Sequence, residues 1–198
     1  ALAEKFIQSQ EKDFSVFLGN AALVERLAHK KESYQELLQF TAKKYGIFLF
    51  ETADFGEIRM LRWSDQLITP PKEMFTAADG EYFTKLSNGW YYIIKRTING
   101  AGADLAFAMI PVWSEFFIET DYLPQQFIFS EDAVRRVRLS ESATDFPVRT
   151  LTGKTLFYLD KKTVSAVPFN DQFTIWLRFG GLLFLLLFIH LLAEHLAI

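Results

Sequence analysis

The 198-residue chain contains no cysteine. That excludes a disulfide framework, a thiolate metal site and a cysteine nucleophile, and it fits an exported bacterial domain. Nor is there an excess of positive charge: 21 Lys and Arg face 24 Asp and Glu, a net charge of −3. Such a balance gives no electrostatic basis for binding nucleic acid or an anionic lipid surface. The chain has no signal-peptide pattern, no internal repeat and no low-complexity segment. It also lacks a G-x-S-x-G elbow and a Walker loop. Asp, Glu and Ser are plentiful, but no spacing singles out an acid and a base.

Histidine is scarce, with three in all. His29 lies in the charged stretch HKKES and reads as solvated. His190, Glu194 and His195 resemble a metal cluster at first sight. On a helix His190 and Glu194 share a face, while His195 is rotated by about 100°. The spacing matches neither H-E-x-x-H nor H-x-x-E-H. No catalytic residue and no metal ligand is therefore assigned.

What the sequence does have is one long apolar run, FGGLLFLLLFIHLLA, from Phe179 to Ala193. Every residue from Leu182 to Ile189 except the last is Leu or Phe. At 1.5 Å per residue, about 20 residues cross the ~30 Å hydrocarbon core. The run falls a little short of that and continues through Leu196, Ala197 and Ile198. Trp176 and Arg178 precede it as interfacial anchors would, and no polar face exists to meet water. The expectation is a membrane helix over 173–198, truncated at its end, behind a water-soluble domain over 1–172. The start ALAEKF, without Met, suggests a piece of a longer chain. The 21 phenylalanines allow that domain a sizeable core.

Along the domain, Leu2, Phe6, Phe14, Phe17 and Leu18 fall near helical spacing. Gly19 can break that helix and Asn20 can cap the next, which carries Leu23, Val24 and Leu27. Ser33 and Glu36 have capping-box spacing. Tyr34, Leu37, Leu38, Thr41 and Tyr45 then mark one face of a third helix, ended by Gly46. GIFLFET (46–52) reads as a buried strand, ADFG (53–56) as a turn, and EIRMLRWS (57–64) as a strand. In that strand Ile58, Met60 and Arg62 would share one face, with Arg59, Leu61 and Trp63 on the other.

Residues 74–82 read as a helix fragment or loop. Asn88-Gly89 launches the strand WYYIIKRTI (90–98), and residues 99–102 form a hairpin loop into DLAFAMIPVW (104–113). Residues 114–129 read as helix and loop, 131–140 as an exposed linker or short strand. Two strands flank the Thr152-Gly153-Lys154 turn. Helices first and hairpin-linked strands after predict an α+β domain with a mainly antiparallel sheet.

FLGNAALVERL (17–27), IFLFE (47–51), RWSD (62–65), LSNGWYYI (86–93), TDYLPQQFIF (120–129) and VRTLTGKTLFYL (148–159), in this order before an apolar span, resemble the extracytoplasmic sensor region of membrane-bound sensor histidine kinases of the Bacteroidetes type. The resemblance implies a PAS-like or Cache-like sheet behind a long N-terminal helix. It also implies a location in the inner (cytoplasmic) membrane with residues 1–172 in the periplasm, a homodimer, and a small-molecule ligand. The kinase, its ATP and Mg²⁺, and its response-regulator partner would lie beyond Ile198, leaving no cofactor in this piece. The alternatives are a membrane-anchored structural or assembly protein of the envelope, or the sensor region of a chemoreceptor or cyclase.

On the strands, Arg59, Arg62, Trp63, Tyr91, Tyr92 and Lys95 are the candidate ligand-binding residues. Cations with aromatic neighbours suit a carboxylate or a sugar. For signal transfer, the first helix would pack against its mate through Phe6, Gln10, Phe14 and Phe17. Both it and the segment from Thr155 to Phe173 would couple to the membrane.

Overall fold

The GIFLF run is apolar at every position because the strand it forms is covered on both sides. The computed structural model describes residues 2–53, 56–98, 100, 102–116, 125–130, 132–162 and 172–196. It separates into two units, Ala1–Lys162 and Thr163–Ile198.

The first unit opens with three helices: α1 (Leu2–Gly19), α2 (Ala21–Ala28) and α3 (Tyr34–Thr41). Asn20 caps α2 by accepting from the Leu23 amide at 3.1 Å. Ser33 and Glu36 form the expected capping box on α3. The Arg26 guanidinium, 2.5 Å away, and the Ser33 amide together hold the half-buried Glu36 carboxyl down to about 2.

Six strands then make one antiparallel sheet: β1 (Gly46–Thr52), β2 (Ile58–Trp63), β3 (Gly80–Leu86), β4 (Gly89–Thr97), β5 (Leu105–Ser114) and β6 (Gln126–Phe127). Their order is β2-β1-β5-β4-β3, with β6 pairing β5. One helical turn, α4 (Glu73–Thr76), lies between β2 and β3, and another, α5 (Ala133–Arg136), follows β6. A second antiparallel sheet, β7-β9-β8, is built from β7 (Val137–Ser140), β8 (Phe146–Arg149) and β9 (Thr155–Lys161).

The two faces of the large sheet are filled differently. Ile47, Leu49, Tyr92, Ile94, Ala106, Ala108 and Ile110 pack with Ile7, Phe14 and Phe17 of α1, Val24 and Leu27 of α2, and Phe40 of α3. Val148, Phe157 and Leu159 of the small sheet join that core. Phe48, Phe50, Tyr91, Ile93, Phe107 and Met109 form the other face, under Ile68, Met74 and Phe75. The AFAM segment of β5 shows the logic. Its alanines point toward helices that bring their own large side chains. Its Phe and Met point toward a thin cover that cannot.

Several expectations are corrected. The α3 face is not Tyr34, Leu37, Leu38, Thr41 and Tyr45: Tyr34 and Leu38 are exposed, and Phe40 is the buried residue. The helix ends at Thr41, so Tyr45 enters the core from the strand approach and Gly46 opens β1. Residues 80–86 are strand, paired to β4 through the Ser87-Asn88 turn. Of the two readings of 131–140, the short strand is found as β7, and the helical turn α5 before it was not expected.

Simple alternation also fails in β2, where a bulge makes Leu49 pair with Arg62 and Phe50 with Met60, skipping Leu61. Arg59 and Arg62 therefore share one face and Met60 and Trp63 the other. The proposed α1 contact stripe is used internally, because Phe14 and Phe17 are buried and Phe6 packs on the same core. The expected turn at 53–56, the loop at 99–102 and the segment 114–129 lie partly outside the described residues, as does most of the segment leading from β9 to Phe173.

The second unit holds α6 (Gln172–Leu196). Thr174–Ala193 within it is long and apolar enough to cross a membrane, and none of that stretch is buried.

At Gly89 φ is +143°, and an added Cβ would lie 2.0 Å from the Trp113 carbonyl oxygen. Here β4 and β5 approach closely, next to a bulge that skips Val112, and Pro111 sits at that bulge. Gly89→Ala should lower stability by roughly 2 kcal/mol or more through backbone strain and the clash, read from urea unfolding of the detergent-solubilised chain. An unchanged midpoint would contradict this account of the hairpin.

Candidate functional site

The six candidate residues do not converge. By strand pairing, Arg59, Arg62 and Tyr92 belong to the helical face of the large sheet, and Trp63, Tyr91 and Lys95 to the opposite one. Strands β1 and β5 separate β2 from β4.

Most of the six have structural partners. Arg59 pairs with Glu51, and Arg62 with the nearly buried Glu32. Burial pushes both tyrosine phenols upward. The Tyr92 hydroxyl is buried without a hydrogen-bond partner among the described residues, an arrangement that costs about 1–3 kcal/mol. Lys95 is buried, and its Nζ donates to the Phe75 and Ala77 carbonyls at 2.9 and 2.6 Å. These are the last carbonyls of the α4 turn, where a cation is favourable. Lys95 thus straps down the element whose Phe75 ring meets Phe50 and Phe107 edge-on, at 4.9 and 5.3 Å.

A more open arrangement forms between the two sheets. Trp90 and Trp113 are directly paired across β4 and β5, on the side where the bulge has reset the register. They line a cleft of about 500 Å³ with Arg138, Leu139, Ser140, Glu141 and Lys162, a volume within the usual range for ligand pockets. An adjoining depression of about 380 Å³ shares Trp90 and Glu141 and reaches Phe83 and Phe157.

The Trp90 ring is stacked on Phe83 (5.2 Å, 17°), and Phe83 on Phe157 (4.7 Å, 20°). This ladder joins the large sheet to the small one. Trp113 meets Phe127 at 4.6 Å and 70°. Arg138 is engaged by Asp160, at 2.6 Å from Nη2 and 2.9 Å from Nε. Lys162 and Glu141 are exposed.

No protein-family model, curated protein or solved structure matches the chain. Sequence reasoning passed over Trp90 and Trp113, although each bounds one strand of a hairpin it had drawn. Continuing that hairpin's pairing to its open end brings the two indoles together. Arg138, Glu141 and Lys162 carry no local signal; only the small sheet brings them there. Among the described residues no group of His, Asp and Glu could hold a metal.

A polar stripe also runs along α1. The Arg149 amide donates to Glu4, Gln8 donates to the Arg149 and Thr150 carbonyls, and the Leu151 amide donates to Glu11 at 2.9 Å. Helical spacing of 4, 8 and 11 sets these side chains in a row, and together they hold the β8–β9 hairpin. Lys154 of the hairpin reaches across to the Glu81 carbonyl of β3 at 2.8 Å.

Glu11 is buried, and its carboxyl is raised above the usual range by burial, with Glu81 adding to the rise while the Leu151 amide and Arg96 oppose it. Its folded pKa exceeds its unfolded one, so the stability linked to its proton is complete below about pH 4 and disappears as pH rises through the folded value. Glu11→Gln keeps an acceptor for the Leu151 amide but has no charge to bury. Measured by urea unfolding at several pH values, the variant should gain on the wild type as pH rises from about 4 and level off once pH has passed the folded value. A gap independent of pH would refute the burial of the charge.

Lys95→Met should cost about 1.5–3 kcal/mol, the scale of a hydrogen bond from a charged group. Combined with Phe75→Ala it should cost less than the sum, because both act through the same cover. Additive losses would remove the strap.

Proposed function

We propose that the chain is the extracytoplasmic sensor region of a membrane-bound two-component sensor histidine kinase. The observation that carries this reading is the pairing of an antiparallel α+β domain with, among the described residues, one helix of membrane-crossing length and composition. A sheet with a long N-terminal helix across one face suits the PAS-like or Cache-like architecture. The helix suits an anchor: its 20-residue apolar stretch would extend about 30 Å, the thickness of the hydrocarbon core. Residues 1–172 would face the periplasm, with α6 in the inner membrane.

Transmission through such a domain needs a path from ligand to span, and two features of the first unit suit one. Helix α1 is hydrogen-bonded to the β8–β9 hairpin, and among the described residues β9 is the last strand before α6. The start of α1 and the exit of β9 also lie close together, since Leu2 and Ala3 line one depression with Leu159, Val137 and Arg136. A homodimer is part of the proposal. With Phe14 and Phe17 committed to the core, the face of α1 left for a mate carries Lys5, Ser9, Lys12 and Val16.

The full-length protein should autophosphorylate on histidine with ATP and Mg²⁺, and its coding sequence should continue past Ile198 into a phosphoacceptor helix and glycine-rich ATP motifs. A stop codon shortly after the span would overturn the kinase. Protease added to intact spheroplasts should digest residues 1–172; full protection would overturn the orientation.

A further inference from the structure

The charges of the Trp90–Trp113 cleft are mixed, and their arrangement bears on what would fit. Arg138 is held by Asp160, which leaves the Lys162 ammonium and the Glu141 carboxylate on the same wall. An anion would meet one cation and one repelling carboxylate. The Ser140 hydroxyl donates to the Ser142 carbonyl at 2.9 Å, so a neutral polyol would meet acceptors in Glu141 and the Ser140 oxygen and donors in Lys162 and Arg138.

The opposite wall is aromatic. Cross-strand partners stand roughly 5 Å apart at Cβ, so two indoles from neighbouring strands border the cleft. Stacking on Phe83 and packing on Phe127 fix their planes before any ligand arrives, which lowers the ordering cost of binding. An indole presents an apolar face with a polar edge. The matching ligand is flat and apolar on its faces and hydroxylated around its rim.

We propose that this cleft binds a neutral carbohydrate of about two pyranose rings, stacked over Trp90 and Trp113 with its hydroxyls on Glu141, Ser140 and Lys162. As the signal received, this carbohydrate rests on the sensor reading above; as a binding site, it stands on the cleft.

The test is isothermal titration of the detergent-solubilised chain with cellobiose, chitobiose, digalacturonate and glutamate. At least one neutral disaccharide should bind saturably. Glu141→Ala and Lys162→Ala, both at exposed positions that leave the fold intact, should each weaken it about tenfold. Trp90→Phe, which keeps a ring on Phe83, should weaken it as well. Trp63→Phe, on the far edge strand, should not change it. Absence of binding by every disaccharide, binding of digalacturonate or glutamate alone, or full affinity in Glu141→Ala and Trp90→Phe would each overturn the proposal. Failure of the sensor reading looks different: the disaccharide binds, and autophosphorylation of the full-length protein does not respond.

Discussion

The carboxylate of Glu11 sits where α1, the large sheet and the β8–β9 hairpin meet, and the helical side of the domain depends on how that meeting is satisfied. Burying a carboxylate is costly unless it is hydrogen-bonded. Here it accepts from the Leu151 amide, one turn away from Gln8 and two from Glu4, which hold the same hairpin. On the neighbouring stripe of α1, Ile7, Phe14 and Phe17 cover the large sheet. One helix thus joins two sheets by different physics, apolar burial toward one and directed hydrogen bonds toward the other. Apolar contact alone would let the small sheet slide. Bonds to three consecutive backbone positions, Arg149 to Leu151, fix its register against the helix.

The opposite face of the large sheet has a different problem. Among the described residues of the first unit no long helix covers it, so the sheet supplies the bulk itself through Phe48, Phe50, Phe107 and Met109. The cover is a thin segment with a single helical turn, too short to persist without support. Lys95 provides that support from below by hydrogen-bonding the turn's final carbonyls. A buried cation in a candidate binding list turns out to be bound already, by its own chain.

These arrangements mark the limit of what the sequence discloses. The helices, their caps and strands β1, β2, β4, β5, β8 and β9 follow from local periodicity and turn chemistry, which act over a few residues. Strand β3 was missed because GEYFTKL lacks a clear alternation and is only half buried on both sides. The faces of β2 were misassigned because the bulge at Leu61 depends on a partner strand. Tyr45 continues the helical spacing of Tyr34 to Thr41, yet α3 stops at Thr41. The candidate site suffered most. Cations next to aromatics in one strand looked like a site, yet alternation sends Tyr91 and Tyr92 to opposite faces, and ion partners distant in sequence occupy Arg59 and Arg62. The cleft draws instead on strand ends far apart in the chain, which only the pairing of β4 with β5 and of β7 with β9 brings together.

Where the cleft lies also determines what its occupant would do. One wall belongs to the large sheet through Trp90 and Trp113, the other to the small sheet through β7 and Lys162. A ligand touching both walls favours whichever spacing of the two sheets it fits, and shifts that spacing only by its difference in affinity between them. The small sheet is not free to move alone, because its hairpin is bonded to α1 and its Phe157 is stacked on Phe83. A change in the cleft is therefore carried into the N-terminal helix and into β9 together. Those two elements come side by side at the depression formed by Leu2, Ala3 and Leu159, and β9 is the strand from which the chain runs on toward α6. In the sensor reading, the hydrogen bonds of Glu4, Gln8 and Glu11 are then a coupling element as well as a structural one. In that reading, loosening them would leave ligand affinity in place while uncoupling it from α6.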